Sequence, residues 1–248
     1  MRLILQFLLI VNFFMVFGST LVSAYPLLVG FSKKEVKIST SFTGTNIQMF
    51  GSIDGEGEIV TVVRGYKRPE TLHRKHRIAG IWVNGNSVMF NSVPTYHFVA
   101  SSKALNLITS ETTLRRLEIG AERITFSPAK NMGNDVLQSF RRGLITLRQK
   151  QGLFTKTPSK IKKNKTNLFR ANIKFPSNVL TGDYVAETHL FRNGQKIATK
   201  KTKLVVQKVG IEAAIYNFAH QYAAIYGIVA VVIALFSGWF AAFIFRKV

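Results

Sequence analysis

Apolar and polar positions follow three different patterns along this chain. The first is a short unbroken apolar run. Arg2 precedes Leu3 to Phe17, interrupted only by Gln6 and Asn12, and Gly18-Ser19-Thr20 then break the run. Val22-Ser23-Ala24 supply small residues where a signal peptidase reads, so residues 1–24 have the layout of a secretory signal peptide. An uncleaved N-terminal anchor is the alternative, and both place the following domain outside the cytoplasm.

The second pattern is alternation. Glu35–Thr40, Asn46–Ile53 and Glu58–Arg64 read as strands, the last two joined by the turn Asp54-Gly55-Glu56-Gly57. Ile78–Val83 and Ser87–Phe90 flank Asn84-Gly85-Asn86, which predicts a hairpin turning there. Tyr96–Ala100 adds a strand. Between residues 110 and 152 the period becomes helical. Ser110 is placed to cap a helix through Leu117, and Asn134–Gln151 spaces Val136, Leu137, Phe140, Leu144, Ile145 and Leu147 by threes and fours. Arg141, Arg142, Arg148 and Lys150 are then assigned to the solvated face of that helix. Strands return at Leu168–Phe175, Tyr184–Phe191 and Lys196–Val206, the last two joined at Asn193-Gly194.

Gly182, Tyr184 and Val185 ahead of a strand match the tyrosine corner of immunoglobulin-like folds. The expectation is a mainly β chain: an immunoglobulin-like β-sandwich over residues 25–209 with a helical insertion near 110–152. Two small domains are the alternative.

The third pattern is a long run without charge. Ala213 to Phe245 contains no Asp, Glu, Lys or Arg, and Ala223–Phe245 is apolar on every side. At 1.5 Å per residue it reaches roughly 34 Å, enough for a hydrocarbon layer of about 30 Å. Tyr222, Tyr226 and Trp239 sit toward its ends, and Arg246-Lys247 follow. A single-pass transmembrane helix with residues 246–248 in the cytoplasm is expected. Residues 210–222 should form an interfacial juxtamembrane helix running directly into it.

Charge sharpens this picture. The chain has 248 residues, with 34 Lys plus Arg against 12 Asp plus Glu. Only Arg2, Arg246 and Lys247 lie outside the central domain, so the basic excess belongs to that domain. From Val136 through Gly182 there are eleven basic residues and no acidic one. Within this stretch TKTPSKIKKNKTN reads as a polar, mobile loop. Its Lys156, Lys160, Lys162, Lys163 and Lys165 are the candidate contacts for an anionic lipid or polysaccharide. Arg64 to Arg77 forms a second basic cluster, read as a surface loop. Nucleic acid is disfavoured, because no recognition motif accompanies the charge.

Chemistry is sparse. There is no cysteine, which excludes disulfides, thiol catalysis and cysteine-ligated metals. His73 and His76 lie three apart but among Arg74, Lys75 and Arg77, which repel a cation. Asp54, Glu56 and Glu58 lack the spacing of a calcium loop. His97 and His189 show no nucleophile–base arrangement, and His189 lies on a predicted strand where packing or exposure is the default. No catalytic, cofactor or metal residue is assigned, and the expected class is non-enzymatic. His220, before the apolar run, and Gly227 and Gly238 within it are candidate contacts with a membrane partner.

Several stretches carry a family resemblance: SFTGTNIQMFGSIDGEGEIVTVVRG, RIAGIWVNGNSVMFNSVPTYHFVASS, FRRGLITLRQKQGLF, FRANIKFPSNVLTGDYVAETHLFRNG and KVGIEAAIYNFAHQYAAIYG. With these, the chain resembles the alphaproteobacterial transmembrane protein family Alph_Pro_TM over most of residues 39–227. The resemblance implies a bacterial inner-membrane protein with a periplasmic domain and a C-terminal anchor. It further implies an accessory role beside a membrane protein, such as a sulfite-exporter-like permease, and supplies no catalytic residue. The sequence departs from the family mainly at Lys-rich residues 156–165.

Overall fold

The computed structural model describes residues 26–130 and 132–245. The expected signal peptide (1–24) and cytoplasmic tail (246–248) lie outside the described residues. The chain is mainly β. Its strands are β1 (Leu27–Phe31), β2 (Glu35–Ile38), β3 (Gly44–Ile53), β4 (Glu58–Gly65), β5 (Lys67–Ile78), β6 (Ile81–Pro94) and β7 (His97–Ser101). After a helical stretch come β8 (Ser159–Lys160), β9 (Lys162–Lys163), β10 (Leu168–Pro176), β11 (Gly182–Arg192) and β12 (Gln195–Lys208). They form a four-stranded sheet ordered β1-β3-β10-β9, a six-stranded sheet ordered β2-β12-β11-β4-β7-β8, and the separate hairpin β5-β6. The larger sheets curl in the manner of a half-barrel.

Strand β4 shows why the layers stack. Its sequence EIVTVVRG is apolar on both sides, so it needs cover on both faces. Ile59 and Val63 enter the main core, shared with Ile47, Met49 and Ile173 of the four-stranded sheet. Thr61, pointing the same way, is buried, and its hydroxyl is 3.0 Å from Thr188 Oγ1 and 3.3 Å from Met49 Sδ. That removes the cost of two unpartnered hydroxyls. Val60 and Val62 face the other way, into a second cluster with Ile108, Leu114 and Ile119. These come from short helices α1 (Leu105–Ile108) and α2 (Glu111–Arg116) and the turn after them, with the Ser110 side chain capping α2 at Thr113 N. The long helix α3 (Asn134–Lys150) sends Phe140, Leu144 and Ile145 into the main core.

The tyrosine corner is made. Tyr184 Oη donates to the Leu180 carbonyl over 2.6 Å, tying the loop to the start of β11. The hairpin turn at Asn193-Gly194 (φ 47° and 79°) falls where its sequence places it, while the turn at Gly55 (φ 68°) carries the chain from one sheet to the other, since β3 and β4 do not pair.

Five expectations need correction. The hairpin after residue 66 turns at Ala79-Gly80 (φ 47° and 85°), not at Asn84-Gly85-Asn86. That triplet lies within β6, where two residues, Gly85 and Asn86, oppose Arg74 alone as a bulge. A Cβ at Gly85 would come within 2.2 Å of the His76 ring, so the glycine lets that exposed ring lie across the bulge. The basic cluster at Arg64–Arg77 is consequently strand, not loop.

The Lys-rich segment is also not a free loop. Ile161 is buried, its N–H donates to the Ser101 carbonyl over 2.9 Å, and β8 and β9 pair with different sheets on either side of it. One apolar residue among lysines is enough to fasten the segment.

Arg148 is turned inward, 6% exposed. Helix α4 (Ile211–Gln221) does not run straight into α5 (Ala223–Phe245); Tyr222, at φ −129° and ψ 49°, breaks the helical path.

Candidate functional site

The four-stranded sheet has a regular alternation that decides what its outer face presents. In β3, Ile47, Met49 and Ile53 are buried while Gln48 and Phe50 point out; in β10, Phe169, Ala171 and Ile173 are buried while Leu168 and Arg170 point out. The register sets Gly30, Phe50, Arg170 and Lys162 side by side across four strands. Phe50 lies flat over Gly30, where an added Cβ would meet its ring at 2.7 Å.

This row crosses an open groove of about 940 Å³. Leu28, Phe50 and Leu168 supply its apolar floor, each about half exposed. Lys162, Lys163, Arg170 and Lys200 supply the charge, and no acidic side chain lines it. Lys163 Nζ also donates to the Gly57 carbonyl over 3.2 Å. Lys162, Arg170 and Lys200 are in no ion pair among the described residues. Three cations without a paired counter-charge raise the local potential and concentrate anions, while Lys163 at the edge also feels Glu58.

Of the five lysines singled out by sequence, the structure brings Lys162 and Lys163 together in this groove. Lys160 lines a different depression beside Ser101 and Arg123, Lys165 lies beside Asp54 and Glu56, and Lys156 lines neither. Sequence reasoning missed Arg170, Lys200 and Phe50. The alternation in β3 and β10 predicts the outward direction of Phe50 and Arg170, but only the packing of distant strands brings them together with Lys200.

The two buried histidine rings each make one hydrogen bond within the fold. His97 Nε2 donates to the Glu118 carbonyl over 2.9 Å, leaving Nδ1 without a partner. His189 Nδ1 is 2.9 Å from Thr199 Oγ1, and its Nε2 has no hydrogen bond. Burial pulls both down to about 4, so both are neutral near pH 7. His73 and His76 stand on exposed strand β5. Among the described residues no group of three His, Asp or Glu is placed to hold a metal.

At the C-terminal end, the most apolar 18-residue stretch of α5 has a mean hydropathy of 2.6 and none of it is buried, unlike a core helix. It is the one helix among the described residues long and apolar enough to cross a membrane. A Cβ at Gly227 or Gly238 would meet nothing within 4 Å. Eleven residues are close to three helical turns, so the two glycines share a face. His220 packs against its own helix, with Nδ1 2.9 Å from the Tyr216 carbonyl and the two rings 4.0 Å apart.

No curated protein matches the chain. Residues 26–247 match a family described as "Putative transmembrane protein (Alph_Pro_TM)". The match takes in the β domain and the apolar helix together, and the chain belongs to that family.

Proposed function

We propose that this chain is a non-enzymatic, membrane-anchored binding protein whose groove holds an anionic amphiphile, with an anionic lipid as the preferred ligand class. The carrying observation is the pairing of an apolar floor (Leu28, Phe50, Leu168) with a basic rim (Lys162, Lys163, Arg170, Lys200) around one groove. An acyl chain fits the first and a phosphate or carboxylate the second. A polysaccharide would use the rim and leave the floor uncovered, so the floor favours a lipid.

Within this reading, α5 spans the bacterial inner membrane once, the β domain stands in the periplasm and the C-terminus is cytoplasmic. The N-terminal layout and Arg246-Lys247 support that orientation. The Tyr184–Leu180 bond supports an immunoglobulin-like kinship for the β domain.

The test is lipid analysis of the full-length protein purified in mild detergent. An acidic lipid should remain bound at near-stoichiometric level and be lost from Phe50→Ser and from Lys162→Gln/Lys163→Gln. Retention of the same lipid by both variants would overturn the assignment.

A second reading, an accessory subunit of a membrane protein, is favoured by the open glycine face of α5. Recovery of one stoichiometric membrane partner, lost on Gly227→Leu/Gly238→Leu, would support it.

A further inference from the structure

The β5-β6 hairpin is a second candidate contact, remote in sequence from every groove residue. Its root is clamped. Glu70 is 2.9 Å from Arg148 of α3, Arg74 donates to Ser139 over 2.6 Å and lies over the Phe140 ring, and Phe90 is buried against Phe126. Apart from these Arg74 contacts the ribbon beyond Leu72 and Val88 is uncovered, and residues 73–84 are all exposed. The uncovered ribbon reaches roughly 20 Å at about 3.3 Å per residue.

A strand ribbon of this kind normally ends in polar turn residues. This one ends in Ile78-Ala79-Gly80-Ile81-Trp82, with Ile78, Ile81 and Trp82 between 62% and 69% exposed. The register pairs Ile78 with Ile81 and His76 with Val83 on one face, and Arg77 with Trp82 on the other. Lys75 falls on the Arg77 side. No acidic residue occurs between Glu70 and Glu111. The apex is therefore apolar, and two cations with a tryptophan follow just behind it. Isolated exposed apolar residues are ordinary; three clustered at the end of a basic-collared hairpin are not.

We propose that this tip inserts into the headgroup region of an anionic bilayer, as a second membrane contact besides α5. Ile78 and Ile81 enter the acyl boundary, Trp82 sits at the interface, and Lys75 and Arg77 meet the acidic headgroups. The occupant is a bilayer and not a protein for two reasons. The collar carries only positive charge, and the chain's own apolar helix keeps a bilayer within reach. The proposal goes beyond the groove reading and does not depend on it.

The chain has two tryptophans, Trp82 and Trp239, so a Trp239→Phe background isolates the tip. The full chain is reconstituted in phosphatidylcholine vesicles with and without phosphatidylglycerol, using shallowly brominated lipid as quencher. With phosphatidylglycerol, Trp82 emission should shift to the blue and be quenched by bromine. High salt, or Lys75→Gln/Arg77→Gln, should reduce that quenching several-fold. Phe50→Ser should leave it unchanged, separating this result from the fate of the groove. An unshifted, unquenched Trp82 in anionic vesicles would overturn the proposal. A blue shift without bromine quenching would also overturn it, by placing the tip against a second copy or another protein.

Discussion

Arg148 of α3 reaches Glu70 of β5 across 2.9 Å, joining the long helix to the root of the projecting hairpin. Arg68 holds the same carboxylate oxygen at 3.2 Å, while Gln151 accepts from Arg148 at 3.3 Å. The arrangement is unequal. Glu70 has two cationic partners, whereas Arg148 has one carboxylate and is nearly buried. Removing Glu70 therefore strands a buried charge, and removing Arg148 does not.

Glu70→Gln should cost on the order of 3 kcal/mol, and Arg148→Met clearly less, because the methionine fills the site without a charge. Denaturant midpoints of the two variants check the order. Equal losses would mean that Arg148 is solvated in solution.

Tyr184→Phe should cost about 1–2 kcal/mol, since the Leu180 carbonyl loses its 2.6 Å donor while the ring's packing is unchanged. Burial pushes the Tyr184 hydroxyl up to about 12, so this bond persists through ordinary alkaline buffers. The same denaturant series provides the comparison.

His97 and His189 should make the domain acid-sensitive. Burial lowers each from 6.5 in the unfolded chain to about 4 in the folded one. Between these values the unfolded state binds more protons, so stability is full above about pH 6.5 and falls as pH drops toward 4. Each histidine accounts for on the order of 3 kcal/mol of that loss. His97→Gln and His189→Asn each keep a hydrogen-bonding nitrogen but do not titrate. Stability measured at pH 7 and pH 4.5 should differ less in the double variant than in the native protein. An unchanged difference would assign the acid response elsewhere.

The lysines should separate by position. Lys162→Gln/Lys163→Gln should weaken binding of an anionic amphiphile by on the order of tenfold or more, at roughly 1 kcal/mol per cation. Lys156→Gln/Lys160→Gln should leave it nearly unchanged, because neither residue lines the groove. Titration of detergent-solubilised protein with a fluorescent phosphatidylglycerol distinguishes the pairs. Equal effects would point to diffuse surface charge.

Most strands and α3 were legible in the sequence because their periods are local. The β-branched run EIVTVVR bounded by Gly65 and the three-four spacing from Val136 to Leu147 need no distant partner to be read. The failures have a common physical form. Ala79 adopts positive φ without the usual Gly or Asn signature, so the more recognisable Asn84-Gly85-Asn86 drew the turn. Ile161 fastens a segment whose composition is that of a solvated loop, because one buried side chain and two short pairings outweigh five lysines. Arg148 lies inside because Glu70, seventy-eight positions earlier, neutralises it. The groove was half visible: Lys162 and Lys163 stood out by charge density, but Phe50, Arg170 and Lys200 join them only through the pairing of β1, β3 and β10 and the crossing of β12.

The most direct test of the groove places a photoreactive group on its floor. Full-length protein carrying Phe50→p-benzoylphenylalanine is irradiated in intact cells and the adduct is weighed. The account predicts an added mass equal to an acidic lipid, lost when Lys162 and Lys163 are also replaced by Gln. An adduct to another protein, or none at all, would contradict it.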